Sequence, residues 1–489
     1  MGARGECIEE RAIMAKSDAS KGAKVTVIGG GPGGYAAAFA AADLGLDVTL
    51  VDRDPNPGGV CLYRGCIPSK ALLHVARLLT EAREATEWGI TFSEPKIDLD
   101  KLRAAKDDVV NKMTGGLGQL CKARGVRFIQ GEASFRDSTH IRVNRNDGTE
   151  EELQTDFSIL ATGSRPTPLP GLELQSRRIL NSTTALEIED APKSLLVVGG
   201  GYIGLELGTV YAALGTKVTV VEMTDGLLPG CDRDLVKVLQ QRLKQTIDDI
   251  RLGVKVTGIS EKKSGLSVKL ENAKGETSEE SFDKVLVAIG RRPNSSGLGL
   301  KYTEVDVNPQ GFVVTDAQCR THDSHIYAIG DIAGEPMLAH KASHEGRVAA
   351  EAIAGHKTAF EPNCIPAVVF TDPEVAWAGL TENQAKEKGI SVDVARFPWG
   401  ASGRASTLHR SDGVTKLLTD PETHQVVGVG IVGVGAGELI AEGALAIEMG
   451  ASAQDLALTI HAHPTLSETM MESAEMIFGQ STHVYRPKK

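Results

Sequence analysis

One arrangement limits the folds open to this chain more than any other: a strand, a glycine turn, a helix and a second strand ending in an acid, present twice. Lys24–Ile28 reads as a buried parallel strand, running into Gly29-Gly30-Gly31-Pro32-Gly33-Gly34. An alanine-rich helix, Tyr35–Leu44, follows; Gly45 stops it, and the strand Asp47–Val51 ends at Asp52. The pattern returns as Ser194–Val198, then Gly199-Gly200-Gly201-Tyr202-Ile203-Gly204, a helix Tyr202–Leu214 stopped by Gly215, and the strand Lys217–Val221 ending at Glu222. Each acid stands 18 residues past the last glycine of its motif, and Gly29/Gly199 and Asp52/Glu222 are both offset by 170 residues. A short apolar strand closing on a glycine completes each copy, Phe157–Gly163 and Val285–Gly290. The expected class is α/β with two Rossmann-like dinucleotide-binding domains.

The spacing has a chemical reason. Gly29, Gly31 and Gly34, and their counterparts Gly199, Gly201 and Gly204, let the backbone approach a pyrophosphate at the positive end of a helix. Asp52 and Glu222 are placed to accept hydrogen bonds from an adenosine ribose. A glycine turn alone is weak evidence; the acid at the right distance makes it strong. Two dinucleotides in one chain imply electron transfer between them. Glu222 repels a 2′-phosphate, and Met223-Thr224-Asp225 offers no arginine to receive one, so the second site should prefer NAD to NADP.

Between the first acid and its closing strand lies Gly58–Lys70, which holds Cys61 and Cys66. Positions five apart on an ideal helix point about 140° away from each other, so a regular helix keeps these sulfurs apart. A distorted first turn, helped by Gly58, Gly59 and Gly65, would allow a labile, catalytic disulfide. Two buried, unpaired thiols are the other reading, and this stretch alone leaves both standing. Lys70, four residues after Cys66, would share its helix face and favour its thiolate; the alternative is a solvated surface lysine. The helix is expected to continue through Ala71–Thr86, followed by a polar region to about Thr155.

The C-terminal part, from Pro362, has strands at Ala367–Phe370, Val414–Leu418 and Val426–Val432, a helix Gly437–Met449, and then His461-Ala462-His463-Pro464-Thr465-Leu466-Ser467-Glu468. His463 oriented by Glu468 would make a general base poised near neutral pH. The two histidines lack the spacing of a helical zinc motif and have no cysteine nearby, so no metal is expected. Asp331, in His325–Asp331, reads on its own as a helix cap.

Bulk properties exclude several roles. A chain of 489 residues is too long for one core and suggests three or four domains. A formal charge of −11 argues against nucleic-acid and membrane-surface binding. No apolar run is long enough to span a bilayer. Seven cysteines, five of them scattered singly (Cys7, Cys121, Cys231, Cys319 and Cys364), do not make a secreted disulfide framework. Residues 1–21 contain several acids and no apolar core, and read as a flexible leader on a cytoplasmic protein.

Taken together, these motifs resemble the flavoprotein pyridine nucleotide-disulfide oxidoreductase family, from about Lys24 to the C-terminal region. Ile67-Pro68-Ser69-Lys70 and His461-Ala462-His463-Pro464-Thr465 look like its lipoamide-oxidising branch. The resemblance implies that Cys61 and Cys66 form the redox disulfide. Gly29, Gly31, Gly34, Asp52, Gly163 and Asp331 would then bind FAD, with Asp331 on the ribityl chain rather than capping a helix. Gly199, Gly201, Gly204, Glu222 and Gly290 would bind NAD, and Lys70 with Glu206 would lie beside the flavin ring. His463 and Glu468 would form an acid–base dyad lent to the partner subunit of a homodimer. The implied activity is oxidation of dihydrolipoyl groups on lipoyl-bearing proteins of a multienzyme complex. An NAD(P)H-dependent reductase of another small disulfide is the alternative enzyme, and a non-catalytic flavin-bearing structural subunit the alternative class. One departure is Tyr63-Arg64, where the family commonly has asparagine and a small residue; it bears on the redox potential and the disulfide mouth. The implied domains are 22–165 (FAD-binding, with the disulfide), 166–290 (NAD-binding), 291–361 (completing the FAD domain) and 362–489 (interface).

Overall fold

The computed structural model describes residues 22–171, 174 and 176–485, so the leader expected at 1–21 lies outside the described residues. The described chain forms two compact units, one of 22–63, 111–165 and 292–361, the other of 64–110, 166–291 and the remainder from 362. The division falls at Tyr63/Arg64, inside the cysteine stretch.

The first unit is built on a seven-stranded sheet. Its order is Ile326–Ala328, Phe157–Leu160, Lys24–Ile28, Asp47–Asp52, Arg127–Phe135, His140–Arg145, Glu150–Gln154. The first five are parallel and the last two antiparallel. The strand Lys24–Ile28 is central and buried on both faces beyond its first residue, which is why it reads as a continuous apolar run. The helix Pro32–Asp43 packs along the helix Ala339–Ile353, whose Gly346 lies so close that a Cβ there would come within 2.6 Å of the Gly33 carbonyl oxygen. Ala37, which a Cβ on Gly346 would touch, shares one buried cluster with Ala38, Ala41, Ala349 and Ala350.

The second unit repeats the parallel core. Its sheet runs Asp249–Leu252, Lys217–Glu222, Ser194–Val198, Lys284–Val287, Ile179–Leu180. Register repeats too: Ser194 pairs with Lys217 as Lys24 pairs with Asp47, both 23 residues on. The helix Tyr202–Ala213 is buried nearly all round, matching a sequence that is largely apolar apart from Glu206 and Thr209. The same unit carries a five-stranded antiparallel sheet from the C-terminal segment, in the order Ala367–Val369, Glu374–Gly379, Val426–Gly433, Val414–Thr419, Asp393–Pro398. Trp399, fully buried, donates from Nε1 to Thr415 Oγ1 at 3.0 Å, and its ring occupies the space left by Gly413 and Gly433. Thr415 Oγ1 in turn meets Thr469 Oγ1 at 2.8 Å, which ties the helix Glu468–Ile477 to the sheet.

The polar stretch before Thr155 is not irregular. It contains a 25-residue helix, Leu99–Ala123, and three antiparallel strands between Arg127 and Gln154. Gly115, Gly116 and Gly118 lower its helix propensity and hide it. Gly118 is there for space, since a Cβ would come within 2.1 Å of Asn56 Oδ1.

Candidate active site

Within each unit the glycine turn is shaped by close approaches. A Cβ on Gly29, at φ +103°, would come within 2.4 Å of the Ala161 carbonyl oxygen, and one on Gly34 within 1.8 Å of the Gly29 oxygen. The second turn repeats this: a Cβ on Gly199, at φ +112°, would come within 2.5 Å of the Ala288 carbonyl oxygen, and one on Gly204 within 2.3 Å of the Gly199 oxygen. Gly31 and Gly201 differ, because a Cβ on either meets nothing within 4 Å. These are N-cap positions with extended backbone, opening onto the positive end of a helix. Open space at the middle glycine, between two crowded ones, fits a pyrophosphate approaching each turn.

The acids sit in matching places. Asp52 Oδ2 accepts from Gly30 N–H at 2.5 Å, and Oδ1 from Asp54 N–H at 2.9 Å. Glu222 Oε2 accepts from Gly200 N–H at 2.7 Å, and Oε1 from Thr224 N–H at 2.8 Å. The 170-residue offset therefore extends to individual hydrogen bonds. Burial pushes the Asp52 carboxyl above its usual range, and the two N–H groups only partly oppose this. Met223 is exposed beside Glu222, leaving no basic group among residues 223–225.

Gly163, at φ +67°, accepts from Asn294 N–H at 2.9 Å, and Gly290, at φ +124°, from Thr167 N–H at 3.0 Å. Asp331 lies on the short turn Gly330–Ile332 and accepts from the buried Ser164 hydroxyl at 2.5 Å. The following helix begins at Ala339 with Leu338 as its cap, so Asp331 is not the cap its isolated sequence suggests. The turn itself is held by Glu345, which accepts from Gly330 N–H at 2.6 Å and pairs with Lys341 at 2.6 Å, both side chains buried.

Cys61 is on the short helix Gly59–Arg64, and Cys66 begins the next one, Cys66–Glu84. The break at Gly65, φ −148° and ψ −116°, means the two cysteines do not share a regular helix. Leu72, Leu73 and Ala76 form the buried side of the longer helix. Lys70, on its first turns, pairs with Glu206 at 2.8 Å, and its ammonium lies 4.5 Å from the Phe370 ring centroid. Glu206, only 3% exposed, also accepts from Phe370 N–H at 3.0 Å. The remaining described cysteines are structural in character: burial pushes Cys121 up to about 11, and Cys231 and Cys319 up to about 12.

His463 projects from the loop before the helix Glu468–Ile477, with its side chain 75% exposed. Its Nδ1 meets Glu468 Oε1 at 2.9 Å, and Glu468 Oε2 accepts from Thr465 N–H at 2.8 Å. Burial alone would raise the Glu468 carboxyl, but Thr465 and His463 together hold it below the usual range. An ionised Glu468 on Nδ1 leaves Nε2 as the nitrogen that takes a proton. His461 is committed elsewhere, to Thr459 O at 2.8 Å and Glu442 at 2.7 Å. Among the described residues one group of three acids, Asp232, Asp234 and Glu382, is close enough to bind a metal ion. The buried Lys416 ammonium fills that place, 2.7 Å from Asp232 and 2.9 Å from Asp234.

Residues 23–346 match the family described as pyridine nucleotide-disulphide oxidoreductase, and residues 365–474 match its dimerisation domain. The chain belongs to this family. A dihydrolipoyl dehydrogenase of Vibrio cholerae is 49% identical over 466 residues, covering 95% of this chain and 98% of that protein. One from Geobacillus stearothermophilus is 47% identical over 458 residues, covering 94% and 97%. Among solved structures, LpdA from Mycobacterium tuberculosis superposes with a TM-score of 0.86 at 29% identity, covering 93% of this chain and 99% of that one. The HOCl-induced flavoprotein disulfide reductase RclA from Escherichia coli gives 0.82 at 26%, with the same coverage.

Sequence reasoning missed several groups that shape this oxidoreductase site. Ser164 on Asp331 and Phe370 on Glu206 carry no motif, because each partner is more than 160 residues away. The Lys341–Glu345 pair had a visible signal, the i,i+4 spacing on one helix.

Proposed function

We propose that this oxidoreductase is a dihydrolipoyl dehydrogenase that oxidises a protein-bound dihydrolipoyl group and delivers two electrons to NAD+. The observation that carries the reading is near-full-length identity of 49% to a dihydrolipoyl dehydrogenase, in a chain retaining Cys61, Cys66 and the His463–Glu468 pair. FAD, held by Gly29, Gly31, Gly34, Asp52, Gly163 and Asp331, supplies the two-electron relay between dithiol and nicotinamide when bound. Gly199, Gly201, Gly204, Glu222 and Gly290 hold NAD.

In this reading His463 Nε2 takes a proton from one substrate thiol, since the thiolate is the attacking species. Glu468 keeps the ring oriented through Nδ1. The thiolate attacks Cys61 Sγ and breaks its bond to Cys66, giving a mixed disulfide. The second substrate thiol closes the lipoyl ring and releases Cys61, so the pair ends with two more electrons. Lys70, oriented by Glu206, contributes the positive charge that favours the Cys66 thiolate.

Leu445, Met449, Leu458 and Ile460 are exposed apolar residues in the segment matching the dimerisation domain, and Ile460 is 96% exposed next to the dyad loop. They support a homodimer, in which we propose that His463 and Glu468 serve the partner's disulfide; the substrate carriers in this reading are lipoyl domains of a multienzyme complex. No helix among the described residues is long and apolar enough to cross a membrane. We propose a cytoplasmic location, in line with cysteines too scattered for a secreted disulfide framework.

Steady-state assays with dihydrolipoamide, glutathione disulfide and both nicotinamides test the proposal. Turnover with dihydrolipoamide and NAD+ should exceed every other combination. Faster reduction of glutathione disulfide by NADPH would overturn it.

A further inference from the structure

The proposed mechanism leaves Tyr63 without a task, although it stands two residues after Cys61 where the family pattern differs. Its hydroxyl accepts from the Asn56 N–H at 3.1 Å and donates to the Asn56 carbonyl oxygen, also at 3.1 Å. One phenol thus takes up both backbone groups of a single loop residue. Its ring lies against Gly58, where a Cβ would come within 3.1 Å of Tyr63 Cε2.

The loop so gripped is itself anchored. Asp52 ties its start to the glycine turn through Gly30 N–H, and Gly58 N–H donates to the Gly30 carbonyl oxygen at 2.7 Å. Gly59, at φ +56°, approaches Gly31 so closely that a Cβ would lie 2.6 Å from its Cα. On the far side, the Asn56 side chain occupies the space beside Gly118 of the long helix. The helix Gly59–Arg64 has six residues, too short to hold itself rigid. Tyr63 joins its end to a loop fixed at these four other points.

We infer that Tyr63 is a positioning residue for Cys61, clamping the helix that carries this sulfur to the loop following the ribose acid. The inference rests on the reading of Cys61 and Cys66 as a redox pair. The stability of a disulfide over its dithiol follows the effective concentration of one thiol at the other, and a helix held in one place raises it. Freeing the helix favours the dithiol.

Equilibration of the purified holoenzyme with dithiothreitol, anaerobically and at graded ratios of reduced to oxidised reagent, measures this directly. The reagent gives two electrons and two protons: the Cys61–Cys66 S–S bond breaks and one S–S bond closes in the reagent. Acid quench, alkylation and mass measurement of the peptide count the thiols. Tyr63→Phe keeps the ring on Gly58 and removes both hydrogen bonds. It should reach half-reduction at a reagent ratio about tenfold lower than wild type, equal to about 30 mV for a two-electron couple. A ratio within twofold of wild type would overturn the inference, even with a lowered melting temperature, because a purely structural role moves only the latter. Tyr63→Asn provides the same reading if Tyr63→Phe does not accumulate. A wild-type protein whose two cysteines never pair at any ratio would instead remove the redox-pair reading itself, and the clamp with it.

Discussion

Glu206 Oε2 lies 2.8 Å from the Lys70 ammonium while its other oxygen accepts the Phe370 N–H at 3.0 Å. One buried carboxylate thereby joins three segments of the second unit. Removing the lysine leaves Glu206 with a backbone partner and no counter-charge, and uncompensated buried charges of this kind cost about 3–5 kcal/mol. Lys70→Met should therefore lower the denaturation midpoint clearly. Adding Glu206→Gln should recover part of the loss, because the remaining buried group is then neutral. Denaturant titration of the single and double variants checks this; equal losses in both would show that the ion pair is not the cause.

The dyad makes a prediction about rate and one about pH. His463→Ala should slow dihydrolipoamide turnover by about 10²–10⁴-fold, the range of a general base, and Glu468→Gln by less. Near-wild-type turnover in the first variant would place the base elsewhere.

Glu468 is held below its usual range by Thr465 and His463 against the opposing effect of burial. A carboxyl whose folded value is depressed contributes stability that is fully present above its unfolded value and lost as pH falls through the folded one. The difference in melting temperature between wild type and Glu468→Gln that is present at about pH 5 should thus shrink below about 4, as the carboxylate takes up its proton. A difference that grows as the pH falls below about 4 would contradict the assignment.

Glu222 should set nicotinamide choice. Its two oxygens are bonded to Gly200 and Thr224, and the exposed neighbour Met223 offers room for a cation. Glu222→Ser combined with Met223→Arg should lower kcat/KM for NAD+ by at least about tenfold and raise it for NADP+, since a ribose carboxylate is exchanged for a phosphate partner. Unchanged preference would mean that discrimination lies outside this strand end.

Gly34→Ala tests the first turn. The new Cβ meets backbone, the Gly29 carbonyl oxygen, rather than a flexible side chain. Overpacking typically costs about 1–3 kcal/mol. The purified variant should carry much less than one flavin per chain, read from its absorbance spectrum, whereas Gly31→Ala, which meets nothing within 4 Å, should retain its fold. Full flavin loading in Gly34→Ala would show that the turn can shift.

The two nucleotide units were legible because their signal is local and repeated. Glycines at close backbone approaches, apolar strands buried on both faces and an acid at the strand end must recur at fixed distances, and here they recur even to the hydrogen bonds of Asp52 and Glu222. The strands 374–379 and 393–398 gave no comparable signal, and the helix 99–123 was masked by its glycines. Each depends on partners that only the folded chain brings near.

From its residues alone the chain determined the α/β class, the duplication, the positions of both cysteines and the adjacency of His463 and Glu468, because each rests on contacts within a few residues or on an exact internal repeat. Tertiary structure decided the rest: that Asp331 meets Ser164 instead of capping a helix, that Lys70 is paired with a buried acid, that Lys416 occupies the acidic cluster, and that Tyr63 grips Asn56. Side chains distant in sequence meet only when packing places them together, and a charge or hydroxyl takes its partner from that packing, which no local spacing encodes.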